Sequence, residues 1–237
     1  MNTVLFDLDG TLLPMDQDVF VQAYVKELGL KAPALGFEAQ RLVEVVLKGA
    51  AVMAANDGTI TNEERFWQLF LGVFGGTPED YILQFELFYQ TEFARVAEAV
   101  QPTPLAHQAV QLLKEKGYQV VLATNPIFPR VATLERMRWA GLNPADFSLI
   151  TTYENSRYAK PNLGYYQEIL DKLQLKPEDC LMVGNDVQED LVAARLGIPV
   201  FLVTDDLINV SGEDYSHFPH GDRQGLLEYL RKLPALA

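Results

Sequence analysis

Val4-Leu-Phe-Asp-Leu-Asp-Gly-Thr11 is an apolar run that ends in two carboxylates and a Gly-Thr pair. Residues 3–7 are too few for a helix and apolar enough for a core, so they predict a buried strand. Later runs of the same character lie at 118–123, 148–152, 179–183 and 199–203. Helical patterns separate several of them, at about 128–140, 161–173 and 187–196. This alternation predicts an α/β protein with a doubly wound, Rossmann-like parallel sheet.

The connection between the first two predicted strands is much longer than the others. It holds no comparable β run, and its amphipathic stretches lie at roughly 15–29, 36–55, 62–74 and 78–99. We therefore predict an inserted all-helical domain over residues 15–97, called the helical insert below. Residues 1–14 plus 98–237 would then form the α/β core.

Composition excludes several classes of partner. The chain has 237 residues, with 32 acidic against 19 basic side chains and a net charge of −13. Such a charge repels nucleic acids and anionic membrane surfaces, so we expect neither as a partner. The single cysteine, Cys180, lies in an apolar run and predicts a buried thiol. No export signal or membrane-length apolar run is visible, so a cytoplasmic location is expected.

Polar residues follow four of the predicted strands, at the edge where an open α/β sheet binds its ligands. They are Asp7, Asp9, Thr124, Asn125, Lys160, Asn185, Asp186 and Asp190. Clustered carboxylates repel one another unless a cation lies among them, and an all-oxygen site suits Mg²⁺. The Lys160 ammonium, the Thr124 hydroxyl and backbone N–H groups near Gly10 could bind the oxygens of one phosphate. The pattern indicates a magnesium and phosphate site.

These residues resemble, in the same order, the four motifs of the haloacid dehalogenase superfamily. The motifs are Asp7-Leu-Asp-Gly-Thr11, Thr124-Asn125, Lys160-Pro161 and Gly184-Asn-Asp-Val-Gln-Glu-Asp190. The helical insert lies between the first and second motifs. In this family that is the position of the helical cap domains of the phosphoglycolate phosphatase and β-phosphoglucomutase type.

The resemblance implies a role for each matching residue. Asp7 would attack phosphorus, form an aspartyl-phosphate and bind Mg²⁺ through its other oxygen. Asp9 would protonate the leaving alcohol, later deprotonate water, and contribute its backbone carbonyl to the metal. The phosphate would be bound by Gly10, Thr11, Thr124, Asn125 and Lys160. The implied activity is hydrolysis of a small phosphorylated metabolite.

The fourth motif departs from the family pattern, which commonly has Asp directly after the glycine where this chain has Asn185. We favour Asp186 as the third metal ligand, beside Asp7 and Asp9, because a carboxylate binds Mg²⁺ better than an amide does. Asp186 and Asp190 are also spaced to share one helix face. Asn185 remains a possible direct or water-mediated ligand, and Asp190 would hold Lys160 or a metal-bound water.

Three other functions compete with phosphomonoester hydrolysis. A phosphomutase or phosphotransferase would use the same phospho-aspartate but transfer it to a sugar hydroxyl. A dehalogenase is disfavoured, because in that branch of the family the position of Asp9 is not an acid and no metal is used. A non-catalytic regulatory module would fit the substitution at Asn185. The sequence leaves the substrate and the oligomeric state open.

Overall fold

A computed structural model describes residues 1–236 and contains a six-stranded parallel sheet. The strands are β1 (Thr3–Phe6), β2 (Gln119–Leu122), β3 (Leu149–Ile150), β4 (Cys180–Gly184), β5 (Val200–Val203) and β6 (His220–Gly221). Their order is β3-β2-β1-β4-β5-β6, the order of a doubly wound Rossmann-like sheet. The predicted fold class is confirmed. The sixth strand was not predicted, because two residues are too few to give a periodic signal.

Both faces of the sheet are covered, which explains why its central strands are apolar throughout. Along β1, Val4 and Phe6 pack into one hydrophobic cluster, whereas Leu5 packs into a second cluster on the opposite face. All three are fully buried. Because side chains on both faces of such a strand are buried, its apolar residues lie on both faces and do not alternate with polar ones.

Residues 17–99, in the long connection from β1 to β2, fold into helices. They are α1 (Gln17–Lys31), α2 (Ala39–Ala54), α3 (Asn62–Phe74) and α4 (Ile82–Gln90), with 3₁₀ turns at Ala32–Leu35, Pro78–Asp80 and Glu92–Ala99. The prediction of one helix over 78–99 was wrong. Thr91 leaves the helical conformation there, and its hydroxyl donates to the Leu87 carbonyl at 2.6 Å. Within residues 1–236, no helix combines the length and apolarity that crossing a bilayer requires.

Four further helices accompany the later strands. They are α5 (Pro104–Glu115), α6 (Arg130–Trp139), α7 (Leu163–Leu173) and α8 (Arg223–Lys232). The helix predicted over 187–196 was wrong: residues 187–190 form turns, and only Leu191–Leu196 continue as a 3₁₀ helix. The Asp186 carboxylate accepts from two backbone N–H groups here, which favours a turn over a regular helix.

Asn62, at the start of α3, joins the helical insert to the loops at the sheet edge. Its side-chain amide donates to the carbonyls of Pro126 at 3.0 Å and Tyr158 at 3.2 Å. Its backbone N–H donates to the Ser156 carbonyl at 2.8 Å. Asn62 is fully buried, so these bonds replace solvent contacts that the amide has lost.

Candidate active site

A buried chain of three charges lies at the carboxyl ends of β1 and β4. The Lys160 ammonium donates to Asp7 Oδ1 at 2.8 Å and to Asp190 Oδ1 at 2.7 Å. Lys160 and Asp190 are 1% exposed and Asp7 is 7% exposed. A Cβ on Gly184 would lie 2.0 Å from Asp190 Oδ2, so only glycine lets Asp190 pack at the end of β4. The structure thus brings together three residues that the sequence placed on separate connections.

The two carboxylates of Asp7 and Asp190 are not balanced by the single ammonium of Lys160 between them. Burial raises the pKa of Asp7 from 3.8 to about 7; Lys160 opposes this rise, while Asp190 and Asp9 reinforce it. Burial lowers the pKa of Lys160, but Asp190 and Asp7 more than offset that effect, and its pKa lies well above the usual value. Lys160 therefore stays protonated, and the surplus of negative charge around Asp7 favours a bound cation.

Thr11 connects Asp7 to Asn185. Thr11 Oγ1 lies 3.2 Å from Asp7 Oδ2 and 2.9 Å from Asn185 Oδ1, and Asn185 Nδ2 donates to the Asp206 carbonyl at 2.6 Å. Gly10 has a φ of +80°, and a Cβ there would lie 2.2 Å from Asn185 Nδ2. Asn185 therefore packs directly on the turn that follows β1, with its amide oxygen beside the Asp7 network.

Asp186 lies next to this network but is bonded differently. Its Oδ1 accepts from the backbone N–H groups of Gln188 and Glu189, both at 2.8 Å. Residues 187–190 therefore form turns, and Asp186 and Asp190 do not share a helix face as was expected. Within residues 1–236, no group of three or more His, Cys, Asp or Glu side chains is arranged to hold a metal. A cation beside Asp7 would consequently need amide or carbonyl oxygens in addition to carboxylates.

Asp9 has a partner that the sequence analysis missed. Its Oδ2 forms an ion pair with Arg136 Nη1 from α6. Arg136 is 1% exposed, its guanidinium lies 4.5 Å from the centre of the Phe128 ring, and Nη2 donates to Thr133 Oγ1 at 3.3 Å. Burial raises the pKa of Asp9, and Arg136 opposes that rise. The sequence contains a sign of this contact. Arg136 comes four residues after Ala132, a spacing that places both on one face of α6, and that face is buried.

Thr124 and Asn125 follow β2 on the other side of Asp7. The Thr124 carbonyl accepts from Thr151 Oγ1 at 2.7 Å and from the Tyr165 hydroxyl at 2.9 Å, which fixes the loop. Asn125 Nδ2 donates to both Glu189 carboxylate oxygens, at 2.9 and 3.1 Å. Burial raises the pKa of Glu189 to about 8. Asn125 thus bonds a carboxyl group of the fourth motif, a contact that the sequence did not predict.

Arg223 supports the Gly10–Thr11 turn from the start of α8. Its Nε donates to the Thr11 carbonyl at 2.9 Å, and its Nη2 donates to the Gly10 carbonyl at 2.5 Å. Nη2 also lies 2.5 Å from Asp206 Oδ2. Arg223 is 9% exposed. A single guanidinium therefore holds two successive carbonyls of the first motif. The N–H groups of the same two residues are bonded within the turn, to the Leu13 carbonyl at 2.8 Å and the Leu8 carbonyl at 3.2 Å.

The strand order and the charged cluster at the carboxyl edge define a Rossmann-like α/β protein with a carboxylate-centred site. The chain belongs to the haloacid dehalogenase-like hydrolases, whose family model matches residues 1–197. This confirms the resemblance read from the four motifs, and with it the prediction that the chain is a hydrolytic enzyme.

Two relatives and one solved structure illustrate the similarity. The chain is 23% identical over 236 residues to glyceraldehyde 3-phosphate phosphatase of Methanothermobacter thermautotrophicus, covering 95% of this chain and 93% of that protein. It is 26% identical over 197 residues to pyrophosphatase PpaX of Anoxybacillus flavithermus, covering 83% and 80%. A phosphatase of the same superfamily from Thermococcus onnurineus superposes with a TM-score of 0.61 at 19% identity, covering all of both chains.

Proposed function

We propose that this protein is a Mg²⁺-dependent phosphomonoester hydrolase that acts on a small phosphorylated metabolite through an aspartyl-phosphate on Asp7. The observation that carries the proposal is the Asp7–Lys160–Asp190 chain of buried charges. A carboxylate held beside a permanently charged ammonium is a suitable nucleophile for phosphorus, because the ammonium also attracts the phosphoryl oxygens. The phosphatase names of the two relatives support the same reaction class.

The residues around Asp7 fit a hard divalent cation. Burial raises the pKa of Asp7, and the neighbouring carboxylates of Asp190 and Asp9 raise it further against the opposing effect of Lys160. The available ligand atoms are oxygens. We propose Asp7, the Asp9 backbone carbonyl and the fourth motif as the ligands, with Asn185 Oδ1 and Asp186 as the candidates from that motif. When bound, Mg²⁺ would neutralise phosphoryl charge during the transfer.

In the first half-reaction an Asp7 carboxylate oxygen bonds to phosphorus, and the bond from phosphorus to the alcohol oxygen breaks. Asp9 gives its proton to that departing oxygen. Lys160 and Thr124 neutralise charge on the phosphoryl oxygens. The buried Arg223 keeps the Gly10–Thr11 turn beside them in place through the Gly10 and Thr11 carbonyls.

In the second half-reaction water attacks phosphorus, Asp9 takes a proton from that water, and Asp7 is released as the carboxylate. Asp9 must therefore exchange a proton in each half. Burial raises the pKa of its carboxyl group while Arg136 opposes the rise, and these opposed effects suit a group that must both give and accept a proton. We propose Arg136 as the residue that positions Asp9.

We also propose that the helical insert, residues 15–97, acts as a cap over the α/β core. Its α3 is bonded through Asn62 to the loops that carry Thr124 and Lys160. A cap in this place would exclude water from the phospho-aspartate until the alcohol has left.

The proposal is tested by measuring phosphate release from a panel of sugar phosphates, phosphoglycolate, nucleotides and polyol phosphates, with and without Mg²⁺. We expect at least one phosphomonoester to be hydrolysed only when Mg²⁺ is present, and Asp7→Asn to abolish the activity. A trapped phosphoprotein that resists both alkali and hydroxylamine would argue against an acyl phosphate, because both reagents cleave that mixed anhydride.

The matched control is Asp171→Asn, which removes a carboxylate from an exposed position on α7 and should retain full activity. Activity that survives Asp7→Asn would refute the nucleophile. Phosphate recovered on a second hydroxyl of the sugar, and not in solution, would replace hydrolysis by the mutase reaction.

A further inference from the structure

A cavity of about 710 Å³ lies between helices α1 to α4 of the helical insert and the α6 side of the core. Asp7, Asp9 and Lys160 do not line it. Phe128 forms part of its wall, and the same ring covers the guanidinium of Arg136. The cavity is therefore next to the candidate active site but separated from it by a side-chain layer. It is large enough to hold a small organic molecule.

The walls of this cavity are mostly aromatic. The rings that line it are Phe20, Tyr24, Phe66, Trp67, Phe85, Tyr89, Phe128 and Tyr153. Many of them contact one another edge to face, as Trp67 and Phe85 do at 6.1 Å between ring centres. Aromatic faces are negative, so a wall of this kind attracts organic cations as well as apolar groups.

Carboxylates add negative charge to these walls. Glu135 is paired with Arg138. Glu63, Glu86 and Glu154 also line the cavity, form no ion pair within residues 1–236, and outnumber the one remaining cation of the lining, Arg130. Burial raises the pKa of Glu63, and the charge of Glu154 raises it further. Repulsion between two partly buried carboxylates is relieved when a cation binds between them.

Two polar atoms of the lining make no hydrogen bond of good geometry in the described part of the chain. They are Glu154 Oε2 and the indole N–H of Trp67, a residue that is only 6% exposed. The indole lies close enough to Glu63 to lower the pKa of that carboxyl group against the effect of burial. Buried polar atoms are rarely left unpaired unless a water or a ligand supplies the missing bond. A guest in the cavity would offer a donor to Glu154 and an acceptor to Trp67.

We infer that this cavity is a binding site for an organic cation, namely a hydrophobic amine whose ammonium lies near Glu63 and Glu154 and whose apolar part lies among the aromatic rings. The inference concerns a site apart from Asp7, so it stands whether or not the chain hydrolyses phosphate esters. Its chemistry is that of an aromatic cage with an acidic end.

The test compares two probes of equal length that differ in charge, 3-phenylpropan-1-amine and 3-phenylpropan-1-ol, by isothermal titration calorimetry near neutral pH. We expect the amine to bind at least about tenfold more tightly than the alcohol, since a desolvated cation–π contact and a carboxylate act only on the amine. Equal affinities, or no binding of the amine at millimolar concentration, would overturn the inference.

Three variants locate the site. Glu63→Gln combined with Glu154→Gln should remove the preference for the amine while leaving the weaker alcohol affinity in place. Ala50→Phe, at a partly buried lining position, should fill the cavity and abolish binding of both probes. Glu64→Gln is the matched control, because it removes the neighbouring, exposed carboxylate outside the cavity while Gln preserves the α3 capping box. This variant should keep the preference for the amine.

The outcomes separate cleanly. A preference for the amine that survives the double glutamine variant, or binding that survives Ala50→Phe, would show that the amine binds elsewhere and would overturn the inference. Loss of the preference in Glu64→Gln would do the same. Thermal unfolding of each variant checks that a lost signal is not lost folding. Phosphatase activity of Asp7→Asn does not enter this test, so the two proposals fail independently.

Discussion

Replacing Asp7 by Asn should make the metal-free protein more stable, and increasingly so as the pH rises. Asp7 has a pKa of about 7 in the folded protein against 3.8 ordinarily. Between these values the folded state binds more protons than the unfolded chain does. The free energy of unfolding contributed by this group is therefore fully present below about pH 4 and is lost as the pH rises through about 7.

The size of the effect follows from the same two values. The gap between 3.8 and about 7, at about 1.4 kcal/mol per pH unit, corresponds to a ceiling of about 4 kcal/mol. Asn cannot ionise, so Asp7→Asn escapes this loss. For a chain of this size each kcal/mol shifts the melting temperature by roughly 2–4 °C. The variant should therefore gain on the wild type as the pH rises, by at most roughly 8–16 °C over the whole range from below pH 4 to above pH 7.

The assay is thermal or urea unfolding in EDTA from about pH 4.5 to about pH 8, with the wild type and Asp7→Asn measured side by side. Asp171→Asn serves as the exposed control and should give a difference that is flat with pH. Mg²⁺ should stabilise the wild type at the alkaline end and Asp7→Asn much less, since the cation offsets the same surplus charge. A difference between Asp7→Asn and wild type that is constant or shrinks with pH would refute the charge-imbalance argument.

Three other substitutions give separate expectations. Arg136→Met should lower kcat by at least about tenfold with little change in KM, because Asp9 loses its positioning partner; steady-state kinetics and a shifted pH profile would show it. Lys160→Met should cost about 3–5 kcal/mol in urea unfolding, because it leaves buried carboxylates unpaired. Gly10→Ala should weaken Mg²⁺ binding measured by calorimetry, because the new Cβ would lie 2.2 Å from Asn185 Nδ2.

Each of these has a matched control. Arg138→Met removes an exposed arginine from the same helix and should leave kcat unchanged; an equal loss would make the Arg136 effect structural. Lys172→Met removes a lysine that is paired near the surface and should cost less than about 1 kcal/mol. Gly36 also has a positive φ but no neighbour within 4 Å of a Cβ, so Gly36→Ala isolates backbone strain. A Gly36→Ala effect on Mg²⁺ binding would contradict the explanation for Gly10.

The fold was predictable because its signals are local. Each central strand is buried on both faces, so it is a short continuous apolar run, and the parallel topology then brings the residues after those runs to one edge. That reasoning is why Asp7, Lys160 and Asp190 could be expected to meet. β6 was not predicted, because His220–Gly221 are too short to show a strand pattern of their own. They are a strand only through their pairing with β5.

The rest of the site depends on contacts between distant parts of the chain. Arg136 reaches Asp9 from 127 residues away and Arg223 reaches Gly10 from 213 residues away. A buried arginine on an apolar helix face is a sign of such a contact, but it does not name the partner. The choice between Asn185 and Asp186 as a metal ligand depends likewise on the turn that orients the two side chains, which residue type alone does not predict.

The bonds made by Asn62 have a mechanical consequence. Its side-chain amide is hydrogen-bonded both to the loop after β2, at the Pro126 carbonyl, and to the loop before α7, at the Tyr158 carbonyl. If the helical insert moves as a body, the start of α3 stays fixed at these bonds and acts as the hinge. The other end of α3 then moves farthest. The two loops would then feel the motion together, so a displaced insert would loosen Thr124 and Lys160 in concert.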